Sequence, residues 1–296
     1  MKSKLSWALV LSGGGARGLA HVGVLKGLKD AGFPKPSLVV GTSMGAIVGG
    51  LFACGMAPAE LVRFVIDKFR ISDYLESVAF RVDGPVGQIL QTGQALASLA
   101  TRPGIDKGQK VLELFEKLTN GKTFDETEIP FRCNAVDLCG GHEVVFRTGS
   151  VARAMRASMA FPVFFEPLLE DGMCLVDGGL LDNMPVAIAR EEGFRHVLAV
   201  NVNRLARLEE RNIRNGPQII YRSIESVLLA QEKEKKIQAD LTLNVADDAT
   251  PFSFYRKKEF ITLGEKVVKK NLKTLEDFFK PRFGLYRTPM VCGPGV

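Results

Sequence analysis

The sequence predicts an α/β chain built in three layers, a mainly parallel central sheet between helices. The first observation is a short apolar run, Trp7 to Leu11, that ends at Ser12 and three glycines, as a buried strand does before a turn. The second is the helical spacing of Leu19, Val22, Leu25 and Leu28, stopped by Gly32 and Pro34 and followed by a second apolar run, Leu38 to Val40. Strand, helix and strand in that order make a βαβ unit, which lays a helix over two parallel strands. The third is size: 296 residues, 46% hydrophobic and 24% charged, suffice for one large core.

A helix follows Ser43, carrying Ile47, Val48, Leu51 and Phe52, and Gly45 and Gly49 leave one of its sides bare for close packing. Further helices are expected at about 58–69 and 107–119, with a mixed segment from Ile71 to Arg102 that reads as a lid or a cap over the core. Phe131–Asp137 and Glu143–Arg147 flank Gly140-Gly141 and read as a hairpin. Met173–Val176 and His196–Val202 read as later strands and Leu241–Val245 as the last, with helices at about 150–158, 184–192, 218–238 and 258–279. No repeat or linker interrupts the pattern. One domain is therefore expected over 1–296, with a core of about 5–245 and a helical C-terminal segment of about 246–296.

Composition removes several function classes. After Lys2 and Lys4 only Trp7 to Leu11 is apolar, so no export signal is expected. The longest uncharged stretch, Ser37 to Ala59, is broken by five glycines and cannot serve as a spanning helix. Five cysteines at positions 54, 133, 139, 174 and 292 show no C-x-x-C spacing and read as reduced thiols of a cytoplasmic protein. His21, His142 and His196 have no ligand-spaced partners, so no metal and no organic cofactor are expected. The net charge of +6 is spread among acids: Glu209, Glu210, Glu259 and Glu265 interleave with Arg204 to Arg214 and Lys257 to Lys270. This reads as solvated surface, excludes nucleic acid as a partner, and leaves peripheral contact with an inner membrane surface open. Oligomeric state leaves no trace in the sequence.

Three glycine-marked segments carry chemistry. Gly13-x-Gly15-x-x-Gly18 follows the first strand and formally fits a dinucleotide-binding fingerprint. The acid that should close the second strand and hold a ribose is missing, however, since Leu38-Val-Val-Gly-Thr-Ser43 ends without one. The same loop N–H groups serve an oxyanion equally well. Gly41-Thr-Ser-Met-Gly45 fits G-x-S-x-G between strand and helix, where a sharp turn exposes the Ser43 hydroxyl; the plain alternative is Ser43 as a helix cap. Asp177, before Gly178-Gly179, supplies a carboxylate that suits the serine's base, or merely a turn residue. His196 follows Asp177 in the order of an α/β-hydrolase triad, but it opens an apolar strand and reads as packing.

Together Gly13–Gly18, Gly41–Gly45 and Asp177-Gly178-Gly179 resemble the three signatures of patatin-like phospholipases, and Arg156–Pro162, Leu180–Val186 and Ala239–Leu243 resemble the segments around them. The resemblance covers about residues 5–245. It implies a patatin-like fold and a serine–aspartate dyad without histidine that hydrolyses acyl esters of phospholipids, lysophospholipids or related lipids. On this chain it makes Ser43 the nucleophile, Asp177 its base, and Gly41, Met44 and Gly45 the turn around it. Gly14 and Gly15, with Gly13 or Met44, become the oxyanion donors. Arg17 reads either as support for that loop or as a phosphate contact, and His21 as packing. Asp182 and Asn183 read as capping a helix, Phe161 to Phe165 as core or acyl wall, and Ser158, outside any such turn, is set aside as a nucleophile. Small soluble esters, or a scaffold role without turnover, are the alternatives to lipid substrates.

Overall fold

Four-residue strands that bury every side chain must alternate between two covered faces. The computed structural model describes residues 6–74, 103–203, 219, 222–228, 230, 238–245, 247, 249–251, 253–280 and 290–292. In it β1 (Ala8–Leu11) sends Leu9 and Leu11 into one apolar cluster and Ala8 and Val10 into another. β2 (Leu38–Gly41) splits the same way, with Val39 on the first face and Leu38 and Val40 on the second. Between them a 3₁₀ turn, Gly15–Leu19, leads into α1 (Ala20–Asp30), and β1 and β2 pair in parallel.

After β2 come α2 (Met44–Ala53), α3 (Pro58–Arg63) with a π turn at Phe64–Lys68, and α4 (Ile71–Tyr74). The rest of the segment expected to be lid or cap lies outside the described residues. The chain resumes at β3 (Gly104–Asp106) and α5 (Gln109–Thr119), then forms the hairpin of β4 (Phe131–Asp137) and β5 (His142–Phe146). α6 (Val151–Ser158), β6 (Val163–Phe165), β7 (Leu168–Glu170), β8 (Met173–Asp177), α7 (Val186–Glu191) and β9 (Val197–Asn201) follow. Beyond residues 222–228, which are helical, lie β10 (Leu241–Asn244), α8 (Lys257–Lys270), α9 (Leu272–Phe279) and β11 (Met290–Cys292).

Among the described residues the main sheet has nine strands in the order β11-β10-β9-β1-β2-β4-β8-β7, with β5 also on β4. The six from β11 to β4 pair in parallel, and β5, β8 and β7 add antiparallel partners. Most of the helical mass covers one face: α1, α2, α5, α6, α8 and α9 all contribute to its cluster. The opposite face is closed by Met184 and by Val186, Ile188 and Ala189 of α7.

Two expectations are corrected. The strand at Leu241 is not the last, because β11 adds alongside it. The helix expected over 258–279 is two helices, broken at Asn271, whose side-chain amide donates to the Val267 carbonyl at 2.8 Å. The short strands β3, β6 and β7 were not expected; β3 and β6 pair with each other outside the main sheet.

Candidate active site

The sheet register brings Ser43 and Asp177 together. Gly41, at the end of β2, lies beside Cys133 of β4, and β4 runs on past it for four more residues. β8 pairs antiparallel with that extension, so its terminal residue Asp177 lies beside Ala135. Two residues 134 positions apart, 177 against 43, thus project from neighbouring points of one sheet.

Ser43 sits at φ 52°, ψ −120° between β2 and α2, a conformation that side-chain-bearing residues adopt only where the surroundings hold it. Its N–H donates to Ser158 Oγ at 2.8 Å, while its own side chain makes no capping bond to α2. The turn closes because α2 reaches the sheet through glycine. A Cβ at Gly45 would collide with the Leu11 carbonyl, and one at Gly49 would crowd Val39. Gly45→Val is accordingly expected to cost at least about 2 kcal/mol through overpacking and to lower the melting temperature; an unchanged melt would mean that α2 has room to spare.

Asp177 is 3% exposed. Its carboxylate accepts from the Gly179 N–H at 2.8 Å, and the Ser43 hydroxyl lies close enough to favour its ionised form. Burial raises its pKa to about 6, against the opposing pull of those two donors. A carboxylate held that way is a better proton acceptor near neutrality than one in water.

The glycine loop after β1 is fixed from several sides. Ser12 Oγ donates to the Gly13 carbonyl at 3.0 Å, and Asn203 Nδ2 donates to the same carbonyl at 2.8 Å. His21, buried on α1 and held neutral with a pKa lowered to about 4 by burial, donates Nε2–H to the Ser12 carbonyl at 2.8 Å. The Gly13 N–H is given to the Asn183 carbonyl at 3.0 Å and the Ala16 N–H to Pro251. The Gly13 N–H is thus committed, whereas Gly14 and Gly15, also expected as oxyanion donors, line the cavity beside Ser43 with no partner for their N–H groups among the described residues.

Arg17 is not a surface residue. Buried beneath the loop, it donates to Asn203 Oδ1 at 3.1 Å, pairs with Glu225 at 3.5 Å, and reaches the Gly14 carbonyl. Its described contacts are those of loop support, although it also lines the cavity. Among the described residues no histidine lines that cavity. His196 packs edge-on against Phe278 and has no place near Ser43. No three His, Cys, Asp or Glu side chains among the described residues converge to hold a metal, and all five cysteines are free thiols.

The cavity measures about 310 Å³ and is largely apolar. One wall is the stripe Met44, Ile47, Val48 and Leu51 of α2, another is Val111, Leu114, Phe115 and Leu118 of α5, and Phe161, Phe164 and Phe165 line it too. The aromatic cluster expected as core or acyl wall thus lines the cavity, with Phe164 buried. Sequence reasoning passed over Ser158, which holds the Ser43 N–H, and took Asn183 for a cap. The helix there begins later, at Val186, and Asn183 instead lines the cavity and holds the Gly13 N–H. Asn134, Thr42 and Asp182 tie β4, the Ser43 turn and the loop before α7 into one buried network. The available signal was polar side chains such as Asn134 and Asn203 inside or beside apolar strands, where only a satisfied hydrogen bond keeps them.

A family model described as patatin-like phospholipase matches residues 9–190. The chain belongs to the patatin-like phospholipase family. An uncharacterised NTE family protein of Mycobacterium tuberculosis is 33% identical over 196 residues, covering 66% of this chain and 49% of that protein. A protein named lysophospholipase NTE1 from Mycosarcoma maydis is 34% identical over 200 residues, 67% of this chain and 10% of its own length. Human patatin-like phospholipase domain-containing protein 6 is 32% identical over 197 residues, 66% of this chain and 13% of its own. The chain thus spans about half the length of the mycobacterial relative and far less of the other two. Among solved structures, VipD from Legionella pneumophila aligns at a TM-score of 0.50 with 16% identity, over 92% of this chain and 67% of that one. That likeness concerns the patatin fold alone. No helix among the described residues is long and apolar enough to cross a membrane.

Proposed function

We propose that the chain is a serine-dependent lipid acyl hydrolase that cleaves phospholipid or lysophospholipid esters through an acyl-enzyme on Ser43. The observation that carries this is the Ser43 hydroxyl and the buried Asp177 carboxylate set side by side by the sheet register, with Gly14 and Gly15, on the wall of one apolar cavity. Family membership and the printed name of the fungal relative agree with it.

In the first half-reaction Ser43 Oγ attacks the ester carbonyl carbon while its proton passes to Asp177. The carbonyl oxygen takes the negative charge and receives the Gly14 and Gly15 N–H groups, an arrangement in which one donor is worth about 100-fold to 1000-fold in turnover. Collapse expels the alcohol, which takes the proton from Asp177. Water then attacks the acyl-enzyme, gives its proton to Asp177 and releases the fatty acid as the proton returns to Ser43. Every proton is carried by these two side chains, so the reaction needs no further acid or base.

Acyl-chain length should follow the stripe on α2. From Met44 to Leu51 the helix rises about 10 Å, the reach of an acyl chain of roughly eight carbons at ordinary bond lengths. A series of p-nitrophenyl esters should show rates that rise from butyrate to about octanoate, and a phospholipid should be hydrolysed. Leu51→Phe, which shortens the far end, should lower octanoate hydrolysis by roughly tenfold or more and spare butyrate. A wild type that prefers butyrate would reject the lipid substrate.

A further inference from the structure

Of the residues that line the cavity Tyr255 is the most exposed, at 84%, and marks its solvent side. On that side Phe69 stacks on Tyr74 at 5.9 Å between ring centroids and meets Phe254 edge-on at 6.1 Å. Lys257 Nζ donates to the Phe69 carbonyl at 2.8 Å, which ties the start of α8 to this aromatic turn.

The same link gathers positive charge. Lys257 lies close enough to Arg70 and Lys258 for both to disfavour its own charge, after partial burial as the larger cause, with Asp67 opposing. Lys68, Arg70 and Lys258 are exposed, and none has an ion-pair partner among the described residues. Arg256 holds both Glu259, at 2.6 Å, and Asp247, and with Asp67 and Asp73 the edge carries four acids against five cations, of which Lys68, Arg70 and Lys258 point to solvent unpaired among the described residues. Amphipathic rings beside basic side chains suit a headgroup layer, where the rings reach the acyl boundary and the cations meet phosphates.

We propose that the rim of Phe69, Arg70, Tyr74, Tyr255 and Lys258 is the face by which this chain docks on an anionic phospholipid surface. The orientation sets the cavity mouth against the bilayer, so that an acyl chain passes from the lipid layer to Ser43 without crossing water. The inference rests on the lipid hydrolysis proposed above, and the two can fail separately.

The test is co-sedimentation with vesicles of phosphatidylcholine alone and of phosphatidylcholine with phosphatidylglycerol, alongside hydrolysis of soluble p-nitrophenyl butyrate. Wild type should bind the anionic vesicles far better than the neutral ones. The double variant Arg70→Gln, Lys258→Gln should lose roughly 30-fold in vesicle partitioning, the worth of two basic residues near such a surface. It should hydrolyse butyrate as wild type does, because neither side chain lines the cavity. Binding should also vanish in 1 M salt, where the screening length falls to about 3 Å from about 8 Å. Equal binding to both vesicles, or a double variant that binds as wild type, overturns the docking face. No vesicle binding with butyrate hydrolysis intact overturns it too and leaves an acidic protein as the partner for these cations. Charge-dependent binding without any ester hydrolysis upholds the docking face and removes the proposed function instead.

Discussion

Ser43→Ala is expected to lower ester turnover by on the order of 10⁴-fold and to abolish labelling by a fluorophosphonate, with the fold intact. The fold should survive because the Ser43 side chain caps nothing, and the bond that holds the turn is made by its backbone N–H to Ser158. Asp177→Asn should lose activity on a similar scale: the amide can still sit beside Ser43 but cannot take its proton. Ser158→Ala separates the proposed nucleophile from its support. It leaves the half-buried Ser43 N–H without its Ser158 partner, which costs up to about 1–3 kcal/mol, yet fluorophosphonate labelling should persist. Turnover in folded Ser43→Ala within tenfold of wild type would rule Ser43 out as the nucleophile.

The turn around Ser43 was legible because its parts are contiguous: an apolar strand, G-x-S-x-G and a glycine-faced helix within a few residues. The nearness of Asp177 was not legible from spacing. Asp177 reaches Ser43 only because β4 outruns β2 and β8 fills the gap, a register that no local pattern encodes. Asn183 was misjudged for a related reason: it had a sufficient local explanation as a cap, while its observed bond joins elements far apart in sequence. Ser158, set aside as a nucleophile, carried no local sign of the bond by which it holds the Ser43 N–H. The three-residue strands β3, β6 and β7 are too short for alternation to register. The break at Asn271 was hidden because apolar spacing continues across it, with Val268 and Leu275 buried on either side.

Asp177 also predicts opposite pH trends in rate and in stability. With its pKa raised to about 6, the ionised base required for attack should dwindle about tenfold per pH unit below that value, so kcat/KM should climb through pH 6 and level off above it. For stability, the native carboxyl binds a proton between its unfolded value, 3.8, and about 6, where the unfolded chain does not. The contribution of this group is therefore fully present below pH 3.8 and is lost as the pH rises through 6, a span on the order of 3 kcal/mol. Above pH 6 the fold carries a buried charge that, among the described residues, Ser43 and Gly179 compensate. Asp177→Asn should then melt several degrees above wild type at pH 8, and that advantage should close as the pH approaches 4. A rate flat from pH 4 to 8, or an asparagine variant less stable than wild type at pH 8, would show that Asp177 is not the strained base. The expected pairing, an inactive variant more stable than the active chain at the pH where the latter works, would place the cost of catalysis on one buried carboxylate.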